Sequence, residues 1–115
     1  MFSAELTTRE RDGQAVVALR GDLDVMEAAS LAAALVAVAA RAPRIIADLA
    51  ALDFIDSSGA AALVLARREA RQAGGDLLLA APREQVLRFL NASGLIDVFP
   101  VLASAEQAAA GRAAR

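Results

Sequence analysis

Hydrophobic positions along the 115-residue chain change their period several times, and each change predicts an element boundary. Ala4 to Thr8 reads as a first strand and Arg11-Asp12-Gly13 as a turn. Gln14 to Arg20, β-branched at Val16 and Val17, reads as a second strand, so a hairpin is predicted. Gly21-Asp22-Leu23-Asp24 then reads as a loop. From about Met26 to Arg41 the apolar period becomes helical, with Leu31, Leu35 and Val38 as the buried stripe and Pro43 as the stop. Arg44 to Leu49 is almost continuously apolar, the pattern of a strand covered on both faces. Asp53 to Gly59 reads as a loop leading into a helix over about Ser58 to Ala73. That helix buries Leu63, Ala66 and Ala70 and turns Arg67, Arg68 and Arg71 to solvent. Gly74-Gly75 ends it, and Asp76 to Ala81 is a fourth strand. Pro82 suits the first position of a third helix with Val86, Phe89 and Leu90 inward, closed by Gly94 with Leu95 beyond the cap. Val98 to Leu102 reads as a last strand, placed at a sheet edge by Pro100. Ser104 and Gln107 have the spacing of a capping box for a final helix.

The order β-β-α-β-α-β-α-β-α predicts an α/β domain over residues 1–115. Its sheet should be mixed but mostly parallel, with about five strands, about four helices and right-handed crossovers.

Composition narrows the chemistry. The chain lacks cysteine and histidine, and all twelve of its basic residues are arginine. Thiolate metal sites, cysteine and lysine nucleophiles and the lysine-bearing phosphate loop are excluded, and no metal site is predicted. A net charge of −2 without a basic block, Trp or Tyr argues against nucleic-acid binding. The longest uncharged run, between Glu27 and Arg41, is too short to span a membrane. The first residues carry no basic-then-apolar signal, so a soluble cytoplasmic protein is expected. A binding module fits better than an enzyme.

In parallel α/β sheets, functional loops gather beyond the C-terminal strand ends. Two loops here carry the polar chemistry: Asp22 and Asp24 after the second strand, and Asp53, Asp56, Ser57 and Ser58 after the third. A single crossover helix would bring them to one edge. The plain reading of Asp24 and of Asp56-Ser57-Ser58-Gly59 is helix capping. Yet one cap needs one residue, and Gly59 within a first turn weakens a helix by about 0.5–1 kcal/mol relative to Ala. A serine at such a position accommodates phosphate on the free amides and the dipole. Phosphate there would add about −1.5 to −2 charge to an acidic patch, and a partner docked on the unmodified patch would then be repelled.

Taken together these segments resemble the STAS-domain anti-sigma factor antagonists of bacteria. Gly21-Asp22-Leu23-Asp24 is similar to the family's Gly-acidic-apolar-Asp turn, and Phe54-Ile55-Asp56-Ser57-Ser58-Gly59 to its phosphorylation motif. Gly74-Gly75 and Leu87 to Leu95, ending Ser93-Gly94-Leu95, match two further segments in order and spacing. The resemblance covers nearly the whole chain. It departs from the family after the motif glycine, where Ala60-Ala61-Ala62 stands in place of a frequent Leu-Gly. It implies a STAS fold and a regulatory protein without enzyme activity. It also implies that Ser57 accepts phosphate from an ATP-dependent kinase anti-sigma factor. The unphosphorylated form would bind that factor through Asp22, Asp24, Asp56, Ser57, Ser58 and Gly59 and release a sigma factor. A PP2C-type phosphatase would reset it, and no resident cofactor is implied. The alternative within the fold is a STAS subunit of a transporter or lipid-trafficking complex that never carries phosphate. A response-regulator receiver is disfavoured by the lack of lysine and by Leu23 between the two acids, and nothing selects a ligand for a small-molecule sensor.

Overall fold

Alternating burial runs the length of Gln14–Leu23 and makes it the second strand, β2, of the sheet. The computed structural model describes residues 5–113. Its sheet has the order β1-β2-β3-β4-β5, comprising β1 (Glu5–Arg11), β2, β3 (Arg44–Ile55), β4 (Asp76–Ala80) and β5 (Val101–Leu102). β1 pairs antiparallel with β2, and every other pairing is parallel. The helices are α1 (Val25–Arg41), α2 (Ser57–Gln72), α3 (Glu84–Ser93) and α4 (Ala105–Ala113). This is the mixed five-stranded, four-helix architecture that the apolar periods predict. α1 and α2, each a crossover between neighbouring parallel strands, lie against one another. Their stripes (Leu31, Leu35 and Val38; Leu63, Ala66 and Ala70) meet Ile45, Ala47, Leu77 and Leu79 in the main core. Ile46 and Ala80 point the other way, to a smaller cluster under Ala105 and Ala108 of α4. The Ser104 hydroxyl caps that last helix, accepting the Gln107 N–H at 3.0 Å.

Several boundaries differ from the sequence expectation. Residues 21–23 and 53–55 continue β2 and β3 and are not loop. The expected stop at Leu49 fails because β3 carries two bulges. Ala18 pairs with Asp48 but Arg20 with Ala51, and Gly21 pairs with Leu52 but Asp22 with Phe54. Each bulge adds one residue to β3, so its buried positions run Leu49, Leu52, Ile55, a spacing of three that hides the strand. β1 extends to Arg11, while Ala4 lies outside the described residues. α3 begins at Glu84, two residues after Pro82. Of the expected last strand, Val98 to Leu102, only Val101–Leu102 pairs as β5, because residues 98–100 are still turning out of a 3-10 turn at Leu95–Asp97. Gly94 does close α3, with φ of 79°.

Arg67 is not a solvated arginine. Its Nε donates to Asp76 Oδ1 at 2.8 Å, a second nitrogen donates to the Val98 carbonyl, and the guanidinium lies 6.0 Å from the Phe99 ring centre. Arg71 approaches the other oxygen of Asp76 at 3.5 Å. Burial pushes the Asp76 carboxyl up, but the Arg67 hydrogen bond, the Leu77 amide and the two positive charges outweigh it and hold the carboxyl below its usual range. A carboxyl depressed in the folded state contributes stability above its unfolded pKa, and that contribution disappears as pH falls through the folded value. Asp76→Asn should therefore lower stability at neutral pH and flatten the acid limb of the stability curve below about pH 4. Urea titrations between neutral and strongly acidic pH measure both. Parallel curves for the two proteins would remove Asp76 from the acid response.

No described helix is long and apolar enough to cross a membrane.

Candidate functional site

The ends of β2 and β3 lie side by side, with Leu23 opposite Ile55 and Asp22 opposite Phe54. The Asp56 N–H donates to the Leu23 carbonyl at 3.2 Å, tying the two chain segments directly. One residue further on, each segment starts a helix. Asp24 caps α1, its carboxylate accepting the Met26 N–H at 3.0 Å. Asp56 caps α2, accepting the Gly59 N–H at 3.0 Å. The capping expected from the sequence is thus present at both helices, and the two strand ends with their caps share one edge.

Gly59 explains how closely they meet. It is buried, and a Cβ built on it would lie 2.4 Å from the Leu23 carbonyl oxygen and 2.7 Å from Leu23 Cγ. Only glycine lets the first turn of α2 sit on the end of β2.

The candidate residues therefore have distinct places. Asp22 is a half-buried strand residue, Asp24 and Asp56 are half-buried caps, and Gly59 is a packing residue. Ser57 is exposed at the first position of α2, and Ser58 is half-buried. Ser57 shares its stripe with exposed Ala61 and Leu65, four and eight residues on, whereas Ser58 stands one turn before buried Ala62. Since Asp56 already provides the cap, capping does not require the Ser57 hydroxyl. Asp53 is set apart, paired with Arg83. Among the described residues none of Asp22, Asp24 and Asp56 is paired with an arginine, so the edge keeps a negative field. No group of three or more acidic side chains among the described residues is placed to hold a metal ion.

The sequence reading overlooked the apolar part of this edge. Val25 is 68% exposed, Met26 81% and Phe54 47%. A signal existed for Met26, which lies about 140° around α1 from Leu31 and so off the buried stripe. Phe54 sits opposite Asp22 beyond a bulge, and no simple period exposes it.

The cap gives a separable test. Asp24→Asn should leave stability within about 0.5 kcal/mol, because asparagine caps as well as aspartate, whereas Asp24→Ala should cost about 1 kcal/mol. Equal denaturation midpoints for all three proteins would mean that the cap contributes nothing.

A sequence profile of the STAS domain matches residues 5–108. The Bordetella bronchiseptica protein BtrV, a candidate anti-sigma factor antagonist, is 34% identical over 107 residues, covering 92% of each chain. Among solved structures, the anti-sigma factor antagonist SpoIIAA of Bacillus in its unphosphorylated form is 26% identical, covers 100% of this chain and 98% of its own, and superposes with a TM-score of 0.78. The murine anion transporter Slc26a9 shares the fold at 15% identity and a TM-score of 0.78. The match covers 100% of this chain but 23% of the transporter. With five strands, four helices and a family profile matched over almost its whole length, this chain belongs to the STAS domain family.

Proposed function

We propose that this protein is an anti-sigma factor antagonist. In its unphosphorylated form it binds a kinase anti-sigma factor through the edge around Ser57 and so frees a sigma factor. The kinase ends the complex by transferring the γ-phosphoryl group of ATP to Ser57 Oγ. The new O–P bond replaces the bond to ADP, and the hydroxyl proton is released. A PP2C-type phosphatase restores the hydroxyl.

The observation that carries this reading is the position of Ser57. It is the exposed first residue of a 16-residue helix whose cap is already supplied by Asp56. A phosphate there meets free amides and the positive end of the helix dipole, so the fold can carry it. Asp22 and Asp24 flank the position from the neighbouring segment and offer charges to a basic partner surface. The likeness to BtrV and to unphosphorylated SpoIIAA supports the same reading. The fold shared with Slc26a9 supplies no such acceptor argument.

The test uses immobilised full-length chain as bait in a lysate of the source cell. The wild type should retain a serine-kinase ATPase, and Ser57→Asp should retain much less of it. A wild-type bait that holds no ATPase, or one that holds it equally after Ser57→Asp, would defeat the proposal.

A further inference from the structure

Charge alone gives the wrong sign for the switch proposed above. A partner complementary to Asp22, Asp24 and Asp56 is basic, and a basic surface attracts a phosphate rather than repelling it. The exposed apolar side chains of the same edge offer a different physical cause. Val25 and Met26, 68% and 81% exposed, open α1 directly after the Leu23-Asp24 segment on which Asp56 and Gly59 of the α2 start are seated. On α2 the stripe below Ser57 continues as Ala61 and Leu65, the latter 40% exposed and about 12 Å along the helix. That distance is within the radius of a standard protein interface. The acceptor hydroxyl therefore stands at the margin of an apolar surface, with the carboxylates bordering it.

We infer that Val25, Met26 and Leu65 form an apolar anchor surface for the anti-sigma factor, and that phosphorylation breaks the complex by desolvation rather than by like-charge repulsion. The occupant is a partner face with an apolar socket and a basic rim, the rim matching Asp22, Asp24 and Asp56. A neutral serine hydroxyl is buried in such a contact at small cost. A phosphate carrying nearly two charges is not, because the first-turn amides of α2 satisfy only part of it and the apolar side chains across the contact return nothing for the rest of the water it loses. Affinity then resides in the anchors, as buried central contacts generally carry it, and the acidic rim sets orientation and association rate. This inference rests on the proposed function and specifies which side chains at that edge the partner reads.

Calorimetry with the ATPase retained in the pull-down separates the two ideas. Met26→Ser should weaken binding about tenfold or more at an unchanged denaturation midpoint. Ser57→Asp should weaken it by about tenfold, and the ratio to wild type should hold between about 0.05 and about 0.5 M salt. Ser57→Asn, of similar size but neutral, should stay within about threefold of wild type. Asp24→Asn should show a loss at low salt that fades as salt rises. Wild-type affinity for Met26→Ser, or a Ser57→Asp defect that vanishes in high salt, overturns the inference and leaves the proposed function standing. Absence of binding by the wild type overturns both.

Discussion

Gly59→Ala should be among the most damaging single-methyl additions in this protein, lowering unfolding free energy by about 3 kcal/mol. In an ordinary helix the same change stabilises by about 0.8–1 kcal/mol. Here the new carbon would stand 2.4 Å from the Leu23 carbonyl oxygen and 3.1 Å from Ile55 Cγ1. The obstructing atom is backbone, already accepting the Asp56 N–H, so it cannot rotate away. The first turn of α2 must lift, and the Asp56 cap and the contact of Ala60 and Leu63 with the core are loosened with it. A loss of this size is a large fraction of the ~5–15 kcal/mol available to a domain. Gly74→Ala is the contrasting variant. No atom lies within 4 Å of the place its new Cβ would take, and its penalty is confined to the left-handed backbone, φ of 92°, at about 1–2 kcal/mol. Chemical denaturation of both variants checks the order. A Gly59→Ala protein within about 0.5 kcal/mol of wild type would show that α2 is seated less closely than described.

The second large effect is all-or-none. With the cognate kinase and ATP, Ser57→Ala should abolish phosphate incorporation and Ser58→Ala should retain most of it. Two hydroxyls stand in succession, but their directions on the helix differ. Ser57 continues the exposed stripe of Ala61 and Leu65, and Ser58 leads toward buried Ala62. An acceptor must enter a kinase active site, so exposure selects the first. Amide chemical shifts should change near residues 21–24 and 53–62 and little elsewhere, since the helix N-terminus accommodates the anion. Phosphate found on Ser58, or shifts spreading through β4 and α4, would refute this assignment and its local character respectively.

The overall fold was legible because helix and strand periods differ so plainly along most of the chain. Leu31, Leu35 and Val38 could only be one face of a helix, and the run from Arg44 to Leu49 only a strand buried on both sides. Legibility failed where β3 bulges. Leu49, Leu52 and Ile55 have a spacing that belongs to neither period, so the second half of β3 passed for a loop. Gly21, with φ of 98° at the matching irregularity in β2, was the available sign, since an isolated glycine within a strand pattern often marks a bulge. The caps of the candidate site were legible as residue types at a spacing, since Asp24 and Asp56 are the caps their chemistry suggests. The exposure of Val25, Met26 and Phe54 along the same edge was not. An exposed Met or Val reads from sequence as one more core residue, and only its phase on the finished helix tells otherwise. Arg67 is the converse case, a charge that reads as solvated until Asp76 arrives from the next strand.

The bond between Asp56 and Leu23, with the seating of Gly59 against the same carbonyl, leaves the edge around Ser57 without a hinge. A surface fixed in this way would need no slow step of its own to meet a partner. Loop and domain rearrangements occupy microseconds to milliseconds or longer, and a partner that waits for one binds below the rate its encounter allows. Here both chemical states would share one backbone, so the protein would hold no record of its past in its conformation. Under the proposed function its memory would be the covalent phosphate alone, written and erased at the pace of the kinase and phosphatase proposed to act on it.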